Sequence, residues 1–379
     1  MIDECTKIEA NRKLIYFIEN KLSNYSKLRN FTSDDKNQVT TSCLSPYLTH
    51  GILSESEVIK ESLKKHSYLK CQKFIDEIFW RIYWKGWLEL RPQLWNDYLL
   101  ELKKIKFNFK DNENYKKAIA GKSSIECFND WVFELKEKNY LHNHVRMWFA
   151  SIWIFTLNLP WQLGADFFMI HLKDGDISSN TLSWRWVAGI HTKGKNYLAK
   201  EWNIKKFTNH RYKIIKINET ALPIMNNKEY PILFNNFDNP KLLNSKKILI
   251  FENNLSFEDS EFFNKDFKKI FIVKNNVRKI NLSENVISFK NKLIEDQFHR
   301  LNVKSNICEI INIDEINKIN EDIYAIYPNI GENLDYVKTH NINNLKFLYR
   351  EIDQYSWEHC RKGFFYFKNY IPKIIQKFC

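Results

Sequence analysis

The chain is short of the residues that would announce several common protein classes. Its seven cysteines, at 5, 43, 71, 127, 308, 360 and 379, form no CxxC pair and no cluster with metal-ligand spacing. They read as reduced thiols of a cytosolic chain, not as a disulfide framework or a zinc site. No apolar run approaches the roughly eighteen residues that a membrane helix needs. The first residues are acidic and polar where a leader would be basic and then apolar, so neither a signal peptide nor a membrane span is expected. Glycine is scarce, at 9 residues, while Asn, Lys and Ile abound. That bias is ascribed to base composition and carries little functional weight.

What is present bounds the class further. A chain of 379 residues can bury a large core and suggests two domains, or three. Aromatics make up 15%, which argues against disorder as the main state. The charge is uneven: residues 1–217 hold 35 Lys and Arg against 24 Asp and Glu, whereas 218–379 hold 23 against 21. Eleven of the twelve tryptophans share the basic part. A basic surface over an aromatic-rich interior attracts polyanions, nucleic acid first among them. A merely solvated Lys-rich surface explains the charge alone equally well.

Residues 5–210 read as mostly helical. In FIDEIFWRIYWKGWLEL (74–90), Phe74, Ile78 and Ile82 recur every four residues beside the row Ile75, Phe79, Tyr83, so a largely buried helix is expected. HVRMWFASIWIFTL (144–157) behaves likewise and stops before Pro160. Polar breaks at 32–38 and 108–114 separate helices. From 218 the texture changes to a Pro- and Asn-rich linker, 218–245. Short β-branched runs follow: KILIF (247–251), KIFIV (269–273), ICEII (307–311) and IYAIY (323–327), with FEDSEFFNKDF and IDEINKINED as candidate crossover helices. That alternation predicts a parallel α/β sheet. The expected fold class is multidomain α and α/β, with an all-helical domain at 1–217, the linker, and a smaller Rossmann-like domain at 246–379.

Four constellations in the basic part carry chemistry. In TTSCLSPYLTHGILS (40–54), Thr41, Ser42 and Ser45 precede an apolar stretch, as an anion site or as plain helix caps. Glu77, Trp80, Arg81 and Trp84 share one helix, where a carboxylate beside an indole suits a planar base; an exposed Glu77–Arg81 pair over a core Trp80 is the simpler use. In HNHVRMW (142–148), the two histidines have the wrong spacing for one helical face, and Arg146 needs an acid partner if it is buried. DGDISSNTLSWRW (174–186) sets Asp174 and Asp176 on a turn that enters a helix bearing Asn180, Trp184 and Trp186.

In this order the four resemble the flavin-binding helical domain of the photolyase and cryptochrome family, over roughly residues 25–200. The family's TSxLSPYLxxGxLS element is matched by Thr41, Ser42, Leu44, Ser45, Pro46, Tyr47, Leu48, Gly51, Leu53 and Ser54. Its ExxWR is matched by Glu77, Trp80 and Arg81, and its HNRxRM by His142, Asn143, Arg146 and Met147, with His144 in place of an arginine. Its DGDxxxNxxxWxW is matched in full.

The resemblance implies a folded-back FAD with its phosphates near Thr41, Ser42, Leu44 and Ser45, and near Tyr25 and Arg29. It implies Asp174 paired with Arg146, Asp176 on the flavin ring and Asn180 by the ring's reactive nitrogen, with Glu77 and Asn143 also at the cofactor. Trp80 and Trp186 would wall a pocket for a flipped-out pyrimidine dimer of UV-damaged DNA, lined by Glu77, Asn143 and Met147. Asn143 stands where relatives that repair the (6-4) photoproduct carry histidine, so cyclobutane dimers are expected. Trp184 and Trp161 match the inner two members of the family's electron relay, whereas the outer region, KFNFKDNENY, offers Phe107 and Phe109.

Other departures are GKSSIECFNDW at 121–131, with Asn129 where an acid is usual, and the tail after Trp186, whose Lys193, Lys195, Lys200, Lys205 and Lys206 suit a phosphate track. The domain order also departs, because the family's α/β antenna domain comes first and here the α/β pattern comes last. ILIFENNLSFEDSEF resembles that domain's first strand and loop, and GFFYFKNYIPKII its last segment. A second antenna chromophore, folate or deazaflavin, is implied with no residue to name for it.

The leading expectation is a monomeric, cytoplasmic, light-driven lyase that acts on damaged DNA. A cryptochrome-like photoreceptor without repair is the alternative. A nucleic-acid-binding flavoprotein without photochemistry is the third reading.

Overall fold

A computed structural model describes residues 5–33, 39–213, 215–233, 237–240, 245–263, 267–303 and 307–379. Parts of the expected polar break at 32–38, of the linker 218–245 and of the first candidate crossover helix lie outside the described residues. The helices of the first part are α1 (Lys7–Asn20), α2 (Tyr25–Leu28), α3 (Ser45–Thr49), α4 (Glu55–Lys65), α5 (Tyr68–Glu89), α6 (Gln93–Phe109), α7 (Glu113–Ile119), α8 (Glu126–Lys138), α9 (Asn143–Ser151), α10 (Trp161–His171), α11 (Ile177–Val187) and α12 (Glu201–Phe207). Strands β1 (Lys247–Phe251), β2 (Lys269–Lys274), β3 (Cys308–Asn312), β4 (Ile323–Ile326) and β5 (Leu345–Leu348) follow, with helices α13 (Glu284–Asn302), α14 (Glu332–Thr339), α15 (Glu351–Trp357), α16 (Phe364–Phe367) and α17 (Ile371–Phe378). A helical region thus precedes an α/β region, as the sequence predicts.

The chain falls into two compact units. The sheet unit comprises Met1–Asn20, Cys43–Pro92 and Ile232–Cys379, and the helical unit comprises Lys21–Ser42 and Gln93–Pro231. In the sheet unit the strands run β3-β2-β1-β4-β5, all parallel, with Ile248 opposite Ile270 on one side and Tyr324 on the other. The β-branched runs form the strands because both faces are covered, and a strand buried on both faces needs no polar alternation. Leu249, Phe251, Val273, Ile311, Ile323 and Ala325 make the core of one face.

Two expected crossover helices are corrected. Among the described residues, 257–267 contains one 3₁₀ turn, Phe257–Asp259, and 313–322 contains another, Ile313–Lys318. The second is fixed by a capping box between Asn312 and Glu315. The α-helices of the crossovers are α13 and α14, and β5 is a strand the sequence reading missed. LKFL is only four residues long and carries a lysine, so its pattern is weak.

Contact groups the chain differently from composition, since α1 and α3–α5 belong to the sheet unit. The reason lies on α5, which packs along α15. A Cβ at Gly86 would come within 2.5 Å of Trp357 and 2.7 Å of the Cys360 sulfur, so only glycine admits that approach. Buried charge ties the same elements together. Arg350 donates to Glu55 of α4 at 3.0 Å and to both Asp353 oxygens, and Lys85 of α5 stands 3.5 Å from Glu55. Burial would raise the Glu55 carboxyl, but Arg350, Lys85 and Arg81 hold it well below the usual carboxylate range. At the end of α5, Glu89 accepts from the Ile330 amide and the Tyr327 hydroxyl, both at 2.8 Å. Burial pushes its carboxyl up to about 7 despite those donors.

In the helical unit, α9 continues as one π turn, Ile152–Thr156, so the expected helix 144–157 is present with a widened end. Phe128, Phe149, Trp153, Phe167 and Phe168 pack ring against ring around it. No helix among the described residues is long and apolar enough to cross a membrane.

Candidate functional site

The residues nominated by the sequence fall in both units.

In the helical unit the stretch 172–186 is built around two acids with separate tasks. Arg146 Nη2 donates to both oxygens of Asp174, at 3.0 and 2.8 Å, and its Nε donates to the Leu141 carbonyl at 2.9 Å. The expected pairing is therefore present, and it makes tenable both a buried Asp174 and a half-buried Arg146. Asp176 is the N-cap of α11 and accepts from the Ser179 amide at 2.7 Å. Gly175 between them has no left-handed φ. The approach there is close, since a Cβ would sit 3.2 Å from the Leu172 carbonyl.

Asn180 is buried, and its amide donates to the Ala165 carbonyl of α10 at 2.8 Å, leaving one hydrogen and the carbonyl oxygen. Asp176, Asn180 and Trp184 stand four apart, which places an acceptor, an amide and an indole in one stripe along α11. Trp184 is buried against Phe168 at 5.1 Å and Trp153 at 6.2 Å between ring centroids. That seat exists because residue 164 of α10 is glycine: a Cβ there would lie 2.2 Å from the Trp184 ring. Trp161, also buried, stacks on Tyr98 at 5.5 Å. Trp186 is half-buried and stacks on Tyr197 at 5.7 Å and 24°.

On α9, His142 caps the helix by accepting from the His144 amide at 3.1 Å. Burial, with His144 and Arg146 alongside, pulls its pKa down to about 4. Asn143 is exposed and Met147 half-buried. Among the described residues no group of three or more His, Cys, Asp or Glu is placed to hold a metal. Tyr25 is buried, and Arg29, Thr41 and Ser42 are half-buried.

In the sheet unit, Leu44 is buried and Ser45, Glu77 and Trp80 are half-buried. Leu44 takes the N-cap position of α3 without a side-chain cap, so the capping expected of Thr41, Ser42 or Ser45 is not formed there; Ser54 caps α4 instead, accepting from the Glu57 amide at 3.1 Å. Arg81 donates to the Thr49 hydroxyl at 2.8 Å. Trp80 lies flat on Phe364, at 3.7 Å and 10°. No sequence signal connects those two positions. Gly164 did leave one, a lone glycine inside a helical pattern, which usually has a packing reason.

The stripe on α11 and the arginine-anchored acid before it thus lie together in the helical unit. Residues 74–215 match the family model "FAD binding domain of DNA photolyase". Through these residues the chain is similar to the FAD-binding domain of the photolyase and cryptochrome family. It is 30% identical over 186 residues to a deoxyribodipyrimidine photo-lyase of Streptomyces griseus, covering 48% of this chain and 39% of that protein. It is 26% identical over 199 residues to a cryptochrome DASH of Idiomarina loihiensis, covering 51% and 43%. A solved class III photolyase from Agrobacterium tumefaciens aligns with a TM-score of 0.46 at 28% identity, covering 54% of this chain and 43% of that one. The chain thus spans about two fifths of the length of the curated relatives it matches.

Proposed function

We propose that the chain is a light-driven, FAD-dependent lyase that splits cyclobutane pyrimidine dimers in UV-damaged DNA. The observation that carries this is the stripe Asp176, Asn180, Trp184 along α11, behind the Arg146–Asp174 pair, inside the matched residues 74–215.

The residues fit FAD by the chemistry of their donors. Thr41, Ser42 and Ser45 supply hydroxyls and Arg29 a cation for the phosphates, in a half-buried setting. Arg146 neutralises Asp174; following the resemblance, Asp176 would accept a ring N–H and Asn180 would stand beside the ring's reactive nitrogen. Bound FAD would supply the light absorption and the electron. The chain's part is to hold the ring by Asp176 and Asn180 and to keep water from it. Leu44, Tyr25, Glu77 and Asn143 would complete the cofactor contacts. Trp184 and Trp161 would carry electrons through a dry aromatic interior. Trp80, Trp186, Glu77, Asn143 and Met147 would receive the flipped dimer.

On this reading 1–217 is the catalytic domain, 218–245 a linker and 246–379 an antenna-like domain for a folate or deazaflavin, in a monomeric cytoplasmic protein. A blue-light photoreceptor without repair is the second reading. One observation favours it: Phe364 covers one face of the Trp80 ring that repair would need as a pocket wall.

Chemically reduced protein, illuminated in blue light with cyclobutane-dimer DNA, is expected to restore thymine. Bound FAD without restored thymine would leave the photoreceptor reading standing and sink the first.

A further inference from the structure

The helical unit carries a basic segment with an exposed tryptophan on it. Residues 193–216 hold eight Lys and Arg against one acid, Glu201, a net of +7. At their centre is α12, and its inner and outer faces differ sharply. Asn203 accepts from the Trp148 indole at 3.0 Å, Ile204 is fully buried, and the Phe207 carbonyl accepts from the Thr32 amide at 2.8 Å. These contacts pin one side of the helix. Trp202 is 62% exposed on the other side, and Lys205 and Lys206 share its face by helical spacing. Lys205 is partly engaged by Glu201 at 2.6 Å, whereas Lys206 is exposed. Beyond α12, Asn209 and His210 adopt left-handed φ of 51° and 59° and turn the exposed chain toward Arg211 and Lys213.

A lone exposed aromatic is ordinary on a protein surface. An indole held outward by a helix whose other face is anchored, within a run of net +7, is a different object. Indoles are sequence-tolerant platforms for unpaired bases, and lysines beside them track the backbone phosphates. Within a duplex the base faces are already stacked, so a flat ring gains most from an unpaired strand. A membrane surface fits less well, because Ile204 and Phe207 are committed inward and Trp202 is left as the large apolar side chain on the outer face.

We propose that Trp202, with Lys205 and Lys206, is a stacking site for an unpaired base of DNA, separate from any residue assigned to the lesion or to FAD. The proposal rests on DNA being the partner and not on photochemistry. Its test uses the full-length protein in the dark with an undamaged, fluorescein-labelled oligothymidylate and fluorescence anisotropy. Trp202→Ala is expected to weaken single-strand binding about tenfold, while Trp202→Phe stays within about threefold and binding to a blunt duplex changes less than about twofold. Lys205→Glu with Lys206→Glu should weaken both and flatten the salt dependence. An unchanged single-strand affinity in Trp202→Ala would overturn the proposal. So would equal losses on single strand and duplex, or a loss confined to phosphatidylserine vesicles. Absent repair with a Trp202 effect sinks the lyase reading alone, and intact repair without that effect sinks this one alone.

Discussion

Each unit of this protein uses a helix glycine to seat an indole, and the two cases differ only in how far along the chain the partner lies. In the helical unit Gly164 makes room for Trp184, twenty residues on; in the sheet unit Gly86 makes room for Trp357, 271 residues on. The paired, half-buried arginines repeat the contrast. Arg146 meets Asp174 across 28 positions, and Arg350 meets Glu55 across 295. The physics is the same in both, since close packing and paired charge cost no more at long range once the chain has folded. What differs is legibility. A window of some thirty residues holds both partners of the near contact, whereas the far contact is built from parts that no such window shows together.

The largest expected effects test the charge pairs. Arg146→Ala leaves Asp174 buried without its cation and should cost about 3–5 kcal/mol, read as a drop in the urea midpoint together with lost flavin. Arg350→Ala should cost a similar amount, with Lys85 still 3.5 Å from Glu55 as a partial substitute. A loss below about 1 kcal/mol at either site would break the parallel.

Among the described residues Glu89 has no such cation at hydrogen-bond distance but neutral donors, Tyr327, Asn329 and the Ile330 amide, with Lys338 acting from further off. Its carboxyl is raised from 4.5 to about 7, so the folded protein keeps a proton that the unfolded chain has released between those values. Stability from this group is therefore fully present below about pH 4.5, falls as pH rises through about 7 and is level above, by on the order of 3 kcal/mol. Glu89→Gln should remove that slope, so the wild-type-minus-variant difference in unfolding free energy should shrink from about pH 5 to pH 8. A pH-independent difference would show that Glu89 is ionised throughout.

The smallest effects come from the glycines. Adding a Cβ at Gly164 or Gly86 overpacks by about 1–3 kcal/mol, less about 1 regained in helix propensity. Both alanine variants should lose a few degrees in melting temperature. Gly164→Ala should also shift tryptophan emission by displacing Trp184, and Gly86→Ala by displacing Trp357. An unmoved spectrum in either variant would mean that the helix, not the indole, gives way.

Much of the fold could be read from residues 247–327, where β-branched runs fall in the strands that form, because strands covered on both faces need only be apolar. FEDSEFF and IDEINK misled because a helical pattern this short is overridden by turn geometry, in the second case a capping box. LKFL escaped because a four-residue strand with a lysine leaves almost no period to detect. At the site, the Asp174–Arg146 pair was legible from motif and charge logic together. The Phe364 stack on Trp80 and the Tyr197 stack on Trp186 were not, since any aromatic may serve and nothing local specifies which one does.

By itself the sequence determined the helical stripe of Asp176, Asn180 and Trp184, the parallel-strand texture that follows it, and the basic bias around Lys193–Lys216. Each depends on short spacings that one turn or one strand makes physical. The tertiary structure alone decided which glycine yields to which indole, that α1 and α3–α5 join the sheet's unit, and that Trp202 stays in solvent. Those outcomes turn on where distant surfaces meet, and burial and close packing are settled only when they do.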